Sequence, residues 1–159
     1  MDVISDQNWL LSVGTFVPIA GVIVMLFIPR AEEQLHKQIA LITALVTFAF
    51  GVYTLFQFDY DRAESLQFFA DHEWISVIHS NYTIGLDGIS LPLYVLSSFI
   101  TLVVIIYTYN DMPDAGNPKS FLILMLILQV GMAGTFIAQD LILFFVFFEV
   151  VLLPMYFMI

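Results

Sequence analysis

Cysteine is absent from this 159-residue sequence, and lysine and arginine together number only four. Without cysteine the chain has no disulfide, no thiolate metal site and no cysteine-bound iron–sulfur cluster. Charged residues of both signs make up 11% of the sequence, against about 25% in an average soluble domain. So few charges exclude the soluble class, and a formal net charge of −10 argues against nucleic acid as a partner.

Hydrophobic residues make up 60% of the sequence and gather into five runs, each near the roughly 20 residues that cross a bilayer. The predicted spans cover residues 9–28, 39–56, 88–107, 120–138 and 141–159. We therefore expect an all-α polytopic membrane protein, with residues 1–159 forming one membrane domain. The opening MDVISDQNWLL is acidic and lacks a signal-peptide cleavage pattern, so we expect the first span to be retained.

The few basic residues predict an orientation. Arg30, Lys37 and Lys119 flank the first and third connections, whereas Arg62 lies in the long second connection, residues 57–87. Because cytoplasmic loops carry an excess of Lys and Arg, we expect the first and third connections to be cytoplasmic. The N-terminus and the long connection would then lie outside.

The long connection contains LQFFADHEWISVI, residues 66–78, which is rich in aromatic and β-branched residues. A polar break at Asp71–Glu73 interrupts it, and the pattern predicts a short external β-hairpin. An interfacial loop anchored by Trp74 is an equally compatible interpretation. The third span then opens with GLDGISLPLY, in which Asp87 or Ser90 can cap the helix start. A coupling role for Asp87 and Ser90 stays open beside capping.

The last span, FFVFFEVVLLPMYFMI, places one carboxylate among apolar residues. Glu149 lies roughly 13 Å along a helix from Asp140, near the middle of a hydrocarbon core about 30 Å thick. A charge there costs a few kcal/mol, so such residues usually face a bundle interior or a wet cavity. Pro154 leaves the carbonyl of Val150 without a helical partner, and we expect a local kink there. Acid and break together indicate part of a polar pathway; a protonated Glu149 that merely bonds a neighbouring helix is the alternative.

No cation in the sequence is placed to meet Glu149, because all four basic residues are expected at helix ends or in loops. We expect the chain to be the beginning of a longer protein, with the counter-charge beyond Ile159. The histidines His36, His72 and His79 are also expected in loops, which leaves no mid-membrane pair for haem.

Two blocks, GLDGISLPLYVL and QDLILFFVFFEVVLLPMYFMI, together closely resemble the antiporter-like subunit M family of the proton-pumping NADH–quinone oxidoreductase, respiratory complex I. This family is the bacterial counterpart of mitochondrial subunit four. The resemblance extends over essentially the whole chain. It departs from the family pattern at Ser76, where a proline commonly follows the Trp-Ile pair, so the hairpin geometry there stays open.

The resemblance implies a membrane-arm subunit of a translocase that couples proton movement to electron transfer from NADH to quinone. It implies that Glu149 pairs with a lysine on a later broken helix, which lies beyond Ile159. It also implies no cofactor in this chain, with flavin and iron–sulfur clusters in other subunits. The implied partners are other membrane-arm subunits of complex I and the lipid of a bacterial plasma membrane. The coupled ion, expected to be the proton, and the identity of the quinone are not fixed by it.

Two other functions remain compatible with the sequence. A subunit of a multisubunit cation/proton antiporter or of a membrane-bound hydrogenase would share the same helix bundle and the same glutamate. A non-catalytic membrane scaffold would use the five spans only as a spacer. The scaffold predicts that Glu149→Gln is harmless after assembly, whereas the relay predicts a loss of proton pumping.

Overall fold

The computed structural model describes residues 7–112 and 117–159, and within these ranges it contains five α-helices and one antiparallel β-hairpin. All five helices are long and apolar enough to cross a membrane, so this is a multi-pass membrane protein, as predicted. In chain order the elements are α1 (Trp9–Phe27), α2 (Glu33–Gln57), β1 (Gln67–Ile75), β2 (Ser80–Leu86), α3 (Ser90–Asn110), α4 (Pro118–Ile137) and α5 (Leu141–Met158).

Helix α2 begins at Glu33, well before the apolar run that predicted a span from residue 39. Its extra turn is polar and contains an ion pair, in which Lys37 Nζ lies 2.9 Å from Glu33 Oε1. The expectation that His36 lies in a loop is wrong: it is fully buried in this turn, and its Nε2 lies 3.0 Å from the Pro29 carbonyl oxygen. Hydropathy marks the apolar part of a helix and misses polar turns that continue it.

The hairpin exists, but its turn lies elsewhere than the polar break suggested. Asp71–Glu73 is an uninterrupted part of β1, and Glu73 pairs with Asn81 of β2. The chain reverses through Ser76–Ile78, a short 3₁₀ turn, and His79, whose φ of 51° is left-handed. His72 therefore lies in a strand of the predicted hairpin, within the long connection. The polar residues belong to the exposed half of a strand, which a one-dimensional pattern does not distinguish from a turn.

Small residues bring the helices into close contact. The stripe Ala40, Ala44, Thr47 and Gly51 of α2 is buried, and a Cβ on Gly51 would lie 3.1 Å from Ser98 Oγ of α3. Helix α1 contributes a small residue to the same kind of contact. A Cβ on Gly14 would lie 2.6 Å from the hydroxyl of Tyr94. Without water to drive association in a bilayer, such close backbone contact is what holds helices together.

The apolar core forms two clusters, one toward each end of the bundle. The cluster at the hairpin end combines strand residues with the facing ends of the helices: Leu10, Leu11, Phe58, Phe68, Ala70, Ile84, Leu86, Leu91, Tyr94, Val95, Val130, Ala133, Ile137, Leu143 and Phe147. The other cluster joins the opposite parts of four helices: Val22, Met25, Ala40, Ala44, Leu102, Ile105, Leu122 and Leu126. The hairpin is therefore packed onto the bundle as part of its core.

Three of the four basic residues lie at the end opposite the hairpin, and one of them joins two helices there. Lys119, in the first turn of α4, donates from Nζ to the carbonyl oxygens of Leu26 at 3.2 Å and Ile28 at 2.7 Å. These carbonyls belong to the end of α1, where helical partners run out. A lysine at a helix C-terminus satisfies such carbonyls and complements the helix dipole.

We expect Lys119→Met to lower the stability of the full-length protein by about 1 kcal/mol, because two α1 carbonyls lose a charged donor. The measurement is the thermal unfolding midpoint in lipid nanodiscs. Lys37→Met is the matched control, since Lys37 makes an ion pair within its own helix that is worth a few tenths of a kcal/mol. Equal effects of the two substitutions would contradict a specific role for Lys119 at the end of α1.

Candidate functional site

Helix α5, which carries Glu149, starts from a well-formed cap. Oδ1 of Asp140 accepts the backbone N–H of Ile142 at 2.9 Å and of Leu143 at 3.0 Å. The hydrogen bond from Leu143 is the main cause that holds the pKa of Asp140 below its usual value; dehydration of the carboxyl opposes it, and bonds from Ser80 and Ile142 reinforce it. The cap therefore stays ionised at neutral pH and suits the positive end of the helix dipole.

Helix α5 contacts the rest of the bundle through one narrow stripe. Its buried residues are Leu143, Phe147 and Pro154, which recur on one face of the helix. Helix α4 meets this stripe with glycines, because a Cβ on Gly134 would overlap the Phe147 ring. A Cβ on Gly131 would lie 2.9 Å from the backbone nitrogen of Val151. The contact between α4 and α5 thus depends on the absence of side chains at two positions.

Glu149 lies on α5 roughly 12 Å along the axis from Leu141, which is close to half the thickness of a hydrocarbon core of about 30 Å. Its side chain is exposed, on the face opposite Phe147. Among residues 7–112 and 117–159, no hydrogen bond or ion pair reaches it. Its neighbours on that face include the exposed Phe145, Leu152 and Leu153. The carboxylate therefore interrupts an otherwise apolar face at mid-membrane depth.

The basic residues of the described chain all lie away from that depth. Arg30 follows α1, Lys37 is in the second turn of α2, Arg62 is in a 3₁₀ turn before the hairpin, and Lys119 begins α4. Lys37 and Lys119 are engaged with Glu33 and with backbone carbonyls. None of these four residues forms an ion pair with Glu149.

The structure does not bring Pro154 onto the same face as Glu149. Five residues correspond to a rotation of roughly 140° around the helix, and Pro154 is buried while Glu149 is exposed. The helix runs from Leu141 to Met158 without a change of secondary structure, and the kink expected at Pro154 stays a prediction. The missing N–H of Pro154 still removes the helical partner of the Val150 carbonyl.

Asp87 and Ser90 organise the start of α3, at the hairpin end. Oδ1 of Asp87 accepts the N–H of Ser90 at 2.7 Å and of Ile89 at 3.0 Å, and it also accepts the Ser90 hydroxyl at 2.9 Å. Partial burial raises the pKa of Asp87, but these bonds, led by Ser90, outweigh it and lower the pKa below its usual value. This pair and Glu149 therefore belong to different elements, at different depths.

Several polar groups with structural roles gave no signal in the sequence. Gln129 of α4 is 2% exposed and accepts the Thr101 hydroxyl of α3 at 2.6 Å, inside the bundle. At the hairpin end, Ser80 is fully buried and joins Trp74 to Asp140. A serine in a predicted loop is unremarkable, and only the folded chain shows that Ser80 lies beside the cap of α5.

Cofactor-binding features are sparse in the described part of the chain. Residues 7–112 and 117–159 contain no group of three or more His, Asp or Glu side chains that could hold a metal ion. The grooves beside α5 are apolar: the larger, of about 390 Å³, lies between α1, α4, α5 and the hairpin, with Phe16, Trp74 and Val150 among its lining residues.

Comparison with known proteins decides the family. The family model described as NADH-ubiquinone oxidoreductase chain 4, amino terminus, matches residues 13–135, which is most of the chain. The chain belongs to this family. The match runs from within α1 to within α4 and includes the hairpin, and it ends before α5 and Glu149.

Individual relatives of this chain 4 family agree. A chloroplastic NAD(P)H-quinone oxidoreductase chain 4 from Chaetosphaeridium globosum is 34% identical over 92% of this chain. An NADH-ubiquinone oxidoreductase chain 4 from Arabidopsis thaliana is 36% identical over 87%, and an NAD(P)H-quinone oxidoreductase chain 4 from Prochlorococcus marinus is 34% identical over 97%. The chain spans 28% of the length of each of these relatives.

Proposed function

We propose that this chain is part of a membrane-arm subunit of a proton-pumping NADH:quinone oxidoreductase, and that Glu149 is its mid-membrane proton-relay acid. Membership of the chain 4 family supports the complex. The observation that carries the relay is the single carboxylate on an apolar, exposed face of α5, at the depth where a charge is costly. An intramembrane acid is retained against that cost when it has a function, and proton transfer is the function a carboxylate supplies.

The relay requires a counter-charge, which we propose is a lysine beyond Ile159 on a later helix of the full protein. Approach of that lysine would stabilise the ionised Glu149, and separation would favour its protonation. Electron transfer takes place in other subunits, on flavin and iron–sulfur clusters. Its effect on this subunit is to change the distance between Glu149 and that lysine. The coupled ion is the proton.

The proposed subunit lies in a bacterial plasma membrane, in contact with lipid and with other membrane-arm subunits. Its N-terminus and hairpin face outward. The distribution of the basic residues supports this orientation, because Arg30, Lys37 and Lys119 lie at the end opposite the hairpin. Only Arg62 lies at the hairpin end.

The test of the complex assignment is purification of the tagged full-length protein from its native membrane. We expect an assembly that oxidises NADH and reduces a quinone, and that acidifies inverted vesicles when NADH is added, without a requirement for sodium. Deletion of the gene should remove NADH-driven acidification. Cation/proton exchange in vesicles without NADH, and no copurifying NADH oxidation, would instead show an antiporter and overturn the proposal.

A further inference from the structure

A chain of side-chain hydrogen bonds joins the hairpin to the start of α5. Trp74 of β1 donates its indole N–H to Oγ of Ser80 at 2.8 Å, and Ser80, the first residue of β2, donates its hydroxyl to Oδ1 of Asp140 at 3.0 Å. The same Asp140 oxygen caps α5 by accepting the N–H groups of Ile142 and Leu143. One carboxylate oxygen thus ties the strand and the helix end together.

The connection between α4 and α5 lies along the edge of the hairpin. The Gln139 N–H donates to the carbonyl of Thr83 at 2.8 Å, and its side-chain amide donates to the carbonyl of Gly85 at 3.1 Å. Ala138 forms an antiparallel bridge with Ile84, which is fully buried. The connection therefore acts as a short third strand. It fixes the position of the α5 N-terminus along the bundle axis, while Ser80 hydrogen-bonds the capping residue Asp140.

Packing on α4 decides which face of α5 is buried, and that face is a narrow stripe of Leu143, Phe147 and Pro154. The cap of α5, Asp140, is fixed to the hairpin at a point roughly 13 Å along the axis from Glu149. We propose that Ser80 is a positioning residue, which through Asp140 adjusts the rotation of α5 on that stripe and so the direction in which Glu149 points. The proposal rests on the relay function proposed above for Glu149.

The hairpin offers a matched control, because a second hydroxyl joins it to a different helix. Ser12 of α1 lies 3.0 Å from the hydroxyl of Tyr82, and this hydrogen bond joins the hairpin to α1 and does not involve Asp140. Ser12→Ala and Ser80→Ala each remove one hydroxyl that ties the hairpin to the bundle. The position of Glu149 should respond only to the second substitution if Ser80 acts through the cap.

The experiment uses the full-length subunit in its assembled complex, labelled with ¹³C-glutamate. Infrared difference spectra report the carboxyl vibrations of Glu149, assigned as the band that Glu149→Gln removes. In Ser80→Ala we expect this band to move and broaden, and the protons pumped per NADH to fall by about two-fold or more, since small misplacements of a reacting group are costly. In Ser12→Ala both should match the wild type.

Three outcomes overturn the positioning role: an unchanged Glu149 band in Ser80→Ala, an equal change in Ser12→Ala, or lost pumping with an unmoved band. If Ser80→Ala does not assemble, Trp74→Phe carries the test, because it removes the donor to Ser80 and keeps an aromatic ring. Trp74→Phe should shift the Glu149 band in the same direction as Ser80→Ala, by a smaller amount. An unshifted band in this variant would overturn the proposal. Normal pumping in Glu149→Gln would defeat the relay function instead, and the band would still report on Ser80.

Discussion

Glu149→Gln in the full-length subunit is expected to lower proton pumping coupled to NADH oxidation by on the order of 10²-fold, as for loss of a proton-transfer group. Glutamine keeps the size and polarity of the side chain but neither releases a proton nor forms an ion pair. Glu149 makes no hydrogen bond or ion pair within the described residues, so the change removes no contact that this part of the chain needs to fold. The measurement is NADH-driven acidification of inverted vesicles, normalised to assembled complex.

Two further variants make the Glu149 result specific. Glu149→Asp keeps the charge and shortens the reach, so it should retain part of the pumping. Glu73→Gln is the same chemical change on the exposed part of β1, outside the five membrane-spanning helices. This variant should pump like the wild type. Normal pumping in Glu149→Gln with a fully assembled complex would refute the relay and favour the membrane scaffold.

The spans were predictable because hydropathy is a local property of the sequence. A run of apolar residues near the length of a bilayer crossing needs no tertiary information, and each of the five predicted runs falls on a helix. The polar first turn of α2 was missed for the same reason. It precedes the apolar run, and the ion pair between Glu33 and Lys37 stabilises it as part of the helix.

Tertiary relations were not predictable in this way. The depth of Glu149 follows from counting residues, but its direction depends on which face of α5 packs on α4, and that face is defined by Phe147 against Gly134. The turn of the hairpin was expected at Asp71–Glu73 because these residues are polar, but they are polar because they lie in the exposed part of β1. The bond between Ser80 and Asp140 joins positions 60 residues apart, and no local pattern marks it.

Gly131→Ala is expected to destabilise the full-length protein by about 1–3 kcal/mol, the usual cost of overpacking a close contact. The new Cβ would lie 2.7 Å from Cγ2 of Val151, 2.9 Å from its backbone nitrogen and 3.2 Å from the Phe147 carbonyl oxygen. A side chain can rotate away, but the backbone of α5 cannot, so the helix has to move outward. Gly131→Leu should prevent stable accumulation. The thermal unfolding midpoint in nanodiscs measures the first effect, and the amount of protein in membranes the second.

Gly85→Ala is the matched control for this prediction. A Cβ there would meet Leu66 at 3.5 Å and the Gln67 carbonyl oxygen at 3.6 Å, which is ordinary contact, so the unfolding midpoint should stay near that of the wild type. Val151 and Phe147 lie on either side of Glu149, two residues away in each direction. Displacing them moves the carboxylate, and assembled Gly131→Ala should therefore also pump fewer protons per NADH than Gly85→Ala. An unfolding midpoint and a pumping ratio equal to those of the control would show that α5 has room to accept a methyl group, and that the tight contact with α4 does not fix the position of Glu149.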